Sequence, residues 1–147
     1  MSFTKNMEKR KILFICTHNS ARSQMCEGFI NSLYPDKFTA FSAGTEISKV
    51  KPQAIQVMKE VGIDISKYYS KHLTSFYGIK FDVVVTVCDN AKKTCPWFPG
   101  AKEMIHKSFP DPSLATGSDK EKLKFYRDVR DRIYQWIKEV LIAKYNQ

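Results

Sequence analysis

Two short apolar runs, residues 11–16 (KILFIC) and 81–88 (FDVVVTVC), constrain this chain more than anything else in it. β-Branched and aromatic residues dominate both, which favours strands over helical segments of that length. The second run is apolar nearly throughout, as expected of a strand whose sheet is covered on both faces. Between and after them the period changes. Over residues 22–34 Met25, Phe29 and Leu33 recur at four-residue spacing with Cys26 and Ile30 beside them, and Pro35 follows, which predicts a helix. Residues 38–44 (FTAFSAG) read as a second strand closed by Gly44. Residues 51–63 read as a helix with Pro52 in its first turn, Ile55, Met58 and Val61 on one face, and Gly62 at its end. A shorter strand is expected within residues 103–109. A long helix is expected over residues 119–145, with Leu123, Tyr126, Val129, Ile133, Ile137 and Val140 as its core stripe and Trp136 widening it.

Strands alternating with helices predict an α/β fold: one domain, a four-stranded parallel sheet flanked by helices on both faces. The 147 residues suit a single core, placed at residues 11–147 after a short basic extension at 1–10. Ligands of such sheets lie outside the carboxyl ends of the strands. Both apolar runs end in cysteine, so Cys16 and Cys88 are expected on that edge.

The net charge of +9 favours an anionic ligand. No basic run is interleaved with aromatics in a recognition pattern, which argues against nucleic acid. No apolar run approaches membrane-spanning length, and residues 1–11 carry no apolar stretch of signal-peptide size, so a cytoplasmic location and no membrane partner are expected. The four cysteines, Cys16, Cys26, Cys88 and Cys95, are then reduced thiols that suggest metal or redox chemistry. Zinc is disfavoured: no C-x2-4-C pair exists, and no histidine lies at ligand spacing from a cysteine pair.

The segment Cys16-Thr17-His18-Asn19-Ser20-Ala21-Arg22 joins a predicted strand to a predicted helix. Backbone amides of such a loop converge on a tetrahedral anion, helped by the positive end of the following helix. The same donors favour a thiolate over a thiol. Arg22 offers a planar fork for two oxygens of one anion, and Ser23 can donate to the sulfur. Cys16 is thus the expected nucleophile, facing an oxyanion bound by residues 17–22. His18 can contact that anion or face solvent.

This loop resembles that of the low-molecular-weight protein tyrosine phosphatases, and the string CTHNSARSQMCEG is most similar to the thioredoxin-coupled arsenate reductases on the same fold. That branch typically has cysteine where Ala21 stands, at a position outside its electron relay. The resemblance extends through FSAGTE, QVMKEVGIDIS and YRDVRDRI. It implies that Asp111, in SFPDPS, is the general acid, since both groups supply one from a late Asp-Pro pair. Phosphatases usually place aromatics just after that pair; here Ser113 and Leu114 follow. Some members hold a potassium ion behind the loop with groups matching Asn19, Glu27 and Ser42. The matching acidic ligand falls at Lys71, whose ammonium can take the place, so no metal and no tightly bound cofactor are expected.

A phosphatase needs one cysteine, whereas a reductase must supply two electrons, as two thiols do on becoming a disulfide. The reductases share a C-x6-C pair followed by proline, matched by Cys88, Cys95 and Pro96. The resemblance therefore makes Cys16 the nucleophile, Cys88 the first resolving thiol and Cys95 the second, with thioredoxin, in preference to glutaredoxin, as reductant of a monomer. Two helical turns would hold Cys88 and Cys95 about 10 Å apart, while a disulfide needs α-carbons within about 7 Å, so the segment must unwind for them to pair. Cys26 is read as helix core. The rival readings are an aryl phosphate phosphatase using Cys16, Arg22 and Asp111, and a non-enzymatic oxyanion or redox sensor.

Overall fold

The computed structural model describes residues 9–146, so the predicted extension at 1–10 lies mostly outside the described residues. Strands β1 (Arg10–Cys16), β2 (Phe38–Gly44), β3 (Val83–Thr86) and β4 (Met104–His106) form one parallel sheet in the order β2-β1-β3-β4. Helices α1 (Arg22–Leu33), α2 (Pro52–Glu60), α3 (Asp89–Thr94) and α4 (Asp119–Trp136) connect and cover it. The expected α/β architecture is the observed one. Among the described residues no helix is long and apolar enough to cross a membrane.

The order positions the site. After β1 the chain crosses to β2 on one side, and it later returns to β3 on the other. The loops leaving β1 and β3 therefore diverge and open a crevice at the sheet's carboxyl edge. Ile15 is paired with Thr86, and Cys16 with Gly44, so Cys16 and Cys88 both emerge there.

Residue alternation along β2 assigns its two faces. Ser42 bonds Glu27 of α1 on one side. Phe41 meets Phe76 and Phe81 edge-on on the other, and Phe98 extends that aromatic layer. Gly28 lets the 63–65 segment close on α1: a Cβ there would lie 2.8 Å from an Ile65 methyl.

Three sequence expectations are corrected. The third strand is shorter than residues 81–88, because at Val87 the chain already turns toward the start of α3, although the Val87 amide still bonds Ile15 O. Leu33 and Val61, assigned to apolar faces, sit at helix ends and are exposed. Val140 is 53% exposed rather than core, while Leu141 is buried. A π turn at Ile137–Leu141, inserted between α4 and a last turn at Ile142–Lys144, adds a residue and rotates the stripe by one position.

Glu60 at the end of α2 ties that helix to α4. Arg127 binds it with two hydrogen bonds of 2.9 and 2.7 Å, and Arg130, itself buried, adds one of 2.8 Å. The hydrogen bonds from Arg127, and then those from Arg130, pull the Glu60 carboxyl from 4.5 to about 2. A carboxylate whose pKa is lower in the folded chain stabilises it above the ordinary carboxylate range and loses that effect as pH falls toward the folded value. Glu60→Gln is therefore expected to cost roughly 1 kcal/mol at neutral pH, after solvent screening of a one-third exposed side chain. Denaturant titrations of both proteins should converge between pH 4.5 and about 2.

Candidate active site

The segment between β1 and α1 has an unusual main-chain balance. Every carbonyl from Cys16 to Ala21 is occupied. They accept, in order, from Thr45 N (3.2 Å), Glu46 N (2.8 Å), Ser70 Oγ (2.9 Å), Gln24 Nε2 (3.0 Å), Lys51 N (2.8 Å) and Met25 N (2.8 Å). No acceptor is found among the described residues for the amides of residues 17–22. The carbonyls are anchored outward in the surrounding chain, and the N–H groups are left to the cavity side. Ala21 begins α1 without a capping side chain, so the first-turn donors are open as well. Such a ring of donors can hold an anion.

Its shape is fixed from behind. Asn19 sits at φ 52°, in the left-handed region that asparagine tolerates better than most residues. Its Nδ2 donates to Ser23 Oγ at 2.8 Å, and its Oδ1 accepts from Gln24 Nε2 and the Lys71 amide, both at 2.9 Å. The Ser23 hydroxyl, accepting from Asn19, lies 2.9 Å from Cys16 Sγ, where its own proton can be donated to the sulfur. Asn19→Ala removes three of these bonds at a fully buried position. It is expected to weaken phosphate binding about tenfold, or ~1.4 kcal/mol, in a calorimetric titration; unchanged affinity would show that the loop holds its shape without this side chain.

A cavity of about 300 Å³ opens over the loop, lined by Cys16, His18, Ser20, Ala21 and Arg22 with Asp111 on the far wall. Arg22 Nη2 lies 3.4 Å from Asp111 Oδ2, and its Nη1 donates to Phe109 O at 3.2 Å. Asp111 Oδ1 accepts from Ser113 N and Ser113 Oγ, which aims the carboxyl group into the cavity. Among the described residues no Phe, Tyr or Trp side chain lines it; Leu114 stands exposed at the rim. His18 is at the mouth, 3.9 Å from Glu46.

The side chains of Thr17 and Asn19 do not line the cavity, which leaves their amides, the groups through which the sequence reading placed them at the anion, to serve it. Asn19 is turned back into the buried network. Thr17 faces β3: its hydroxyl accepts from Asn90 Nδ2 at 3.1 Å and lies 3.3 Å from Cys88 Sγ. Cys88 caps α3, and its sulfur also accepts from the Ala91 amide at 3.4 Å. The 89–94 segment is helical, as its polar sequence suggested, and Cys95 follows directly, its Sγ 3.7 Å from Trp97 O. Burial pushes the Cys95 thiol upward. All four cysteines are free. Cys26 is fully buried in α1, and burial followed by the nearby Cys16 raises its thiol well above the usual range.

The Lys71 ammonium stands behind the loop, 3.8 Å from Glu27 and bonded to Tyr69 O. Burial raises the Glu27 carboxyl and lowers the Lys71 amine. Sequence reasoning missed four participants. Gln24, Ser70 and Lys51 hold loop carbonyls, and His106 joins Thr86 Oγ1 (2.9 Å) to Asp89 Oδ1 (3.0 Å) at the start of α3. Ser70, Lys51 and His106 act on residues far away in the chain and carry no local signal, whereas Gln24 acts on Asn19 five residues before it, inside the CTHNSARSQ string itself.

Residues 11–145 match the family model for low molecular weight phosphotyrosine protein phosphatase. An arsenate reductase of Halalkalibacterium halodurans is 45% identical over 132 residues, spanning 90% of this chain and 95% of that protein. A solved arsenate reductase in its phosphate-binding state superposes with TM-score 0.78 at 36% identity, covering 92% of this chain and 98% of the other. An arsenate reductase solved in its oxidized state gives TM-score 0.78 at 31% identity, over 91% and 98% of the two chains.

Proposed function

Since this chain belongs to the low molecular weight phosphotyrosine protein phosphatase family and groups there with the arsenate reductases, we propose that it reduces arsenate to arsenite through three of its own thiols, with thioredoxin as the electron donor. One observation carries the reading: a loop whose carbonyls are all engaged and whose amides have no acceptor among the described residues lies beside a second cysteine, with a third one short helix away.

Arsenate enters the ring of amides, and Arg22 turns from Asp111 to two of its oxygens. Cys16 Sγ, held by the Ser23 hydroxyl, attacks arsenic. An arsenic–oxygen bond breaks, and Asp111 gives its proton to the departing oxygen, which leaves as water. Cys88 then attacks Cys16 Sγ. The sulfur–arsenic bond breaks with its electron pair remaining on arsenic, so arsenic(V) leaves as arsenite and a Cys16–Cys88 disulfide remains. Cys95 attacks Cys88 and frees Cys16 as a thiol. The dithiol of thioredoxin reduces the Cys88–Cys95 disulfide. The lack of an aromatic wall suits a small inorganic ion better than a phosphotyrosine ring.

The test is NADPH oxidation by the reduced protein with arsenate, thioredoxin and thioredoxin reductase. Sustained turnover supports the reading. A single equivalent of disulfide followed by arrest would make the protein a sensor. Steady aryl phosphate hydrolysis without reductant, with no arsenate-dependent NADPH loss, would make it a phosphatase.

A further inference from the structure

A second depression, of about 310 Å³, adjoins the oxyanion cavity and shares Lys51 and Ser113 with it. Its other polar walls are Gln53 of α2 and Lys122 and Tyr126 of α4. Reduction of one tetrahedral ion held in the loop gives this depression no task. Its chemistry is nevertheless one-sided. Lys51 and Lys122 are half-buried, and neither has a carboxylate within ion-pairing distance among the described residues. Among the described residues no acidic side chain lines the space. Tyr126 is only 3% exposed as a residue, but its hydroxyl is not itself a buried atom, it has no hydrogen-bond partner among the described residues, and its side chain borders the depression. Burial, and then the charge of nearby Asp111, push the phenol upward, so it remains a neutral donor.

Two ammonium groups without a carboxylate partner and a hydroxyl free to donate are the complement of an oxyanion. We propose that this depression is a second oxyanion subsite for a phosphate-class group, supplied either by a free ion or by the far end of a compound whose first phosphate occupies the loop. The inference rests on the loop being an oxyanion site. Because the two spaces share a wall, a tethered pair of phosphates can occupy both, and the second binding event is then intramolecular.

Calorimetric titration of the reduced full chain tests this with three probes: inorganic phosphate, propyl phosphate, and α,ω-alkanediol bisphosphates with two to six carbons. At least one bisphosphate is expected to bind ten times more tightly than propyl phosphate. That gain should vanish in Lys122→Gln and shrink in Tyr126→Phe, with propyl phosphate affinity unaltered in both. Two inorganic phosphates per chain, the second lost in Lys122→Gln, would support the subsite with a free ion as its source. One phosphate per chain and no gain from any bisphosphate would overturn the subsite and leave the loop reading intact. No binding of any probe would overturn the loop reading and the subsite with it.

Discussion

Serine in place of Cys16 is expected to abolish arsenate-dependent NADPH oxidation, a loss of at least about 10⁴-fold, as when the nucleophile of a covalent mechanism is removed. The hydroxyl would occupy the same position, 2.9 Å from Ser23 Oγ in the native chain, so the loop and its anion affinity should survive. Cys88→Ser is expected to stop arsenate turnover as completely, for a different reason: the Cys16–arsenic adduct forms but nothing resolves it. The two variants separate on an aryl phosphate. Any hydrolysis supported by Cys16, Arg22 and Asp111 should persist in Cys88→Ser and disappear in Cys16→Ser. Arsenate turnover surviving in either variant would refute the thiol relay, and hydrolysis surviving in Cys16→Ser would refute its role as nucleophile.

A methyl group on Gly44 should be nearly as damaging, without touching a reacting atom. A Cβ there would lie 2.7 Å from Glu46 O, 2.7 Å from Thr17 O and 2.9 Å from Asn19 N. All three are main-chain atoms, so no side chain can swing aside, and two belong to the oxyanion loop itself. Gly44→Ala is expected to cost about 1–3 kcal/mol by overpacking. Shifting the amides relative to Cys16 by even ~1 Å should lower kcat/KM for arsenate on the order of 100-fold. Gly28→Ala is the control, since its nearest contact is a side-chain methyl of Ile65, and it should destabilise without a comparable loss of kcat/KM. Wild-type kcat/KM in Gly44→Ala would mean that the loop does not depend on close contact with β2.

The sequence made the central chemistry legible because it is local. Cys16, Arg22 and Ser23 fall within eight residues, and their place between an apolar run and a helical period leaves few alternatives. The parallel sheet followed from the same periodicities, and the α3 segment between Cys88 and Cys95 from its polar sequence. What stayed hidden depends on contacts across the chain. Ser70 reaches His18 O over 52 residues, and Asn90 reaches Thr17 over 73. Without those contacts Thr17 reads only as an amide donor to the anion, and the approach of its hydroxyl to Cys88 stays hidden. Val140 was misplaced for another reason: a helical stripe assumes constant pitch, and the π turn at Ile137–Leu141 leaves no mark in the pattern of apolar residues.

Helix α3 is six residues long and begins on the sulfur it serves: the Ala91 amide donates to Cys88 Sγ, while Asn90 and Asp89 fasten the same turn to Thr17 and His106. In the proposed relay, joining Cys88 to Cys95 would dismantle that turn and part the Ala91 amide from Cys88 Sγ. Folding of this one short helix would then oppose closure of the second disulfide, so any change that loosens the helix should shift the exchange equilibrium toward the Cys88–Cys95 pair.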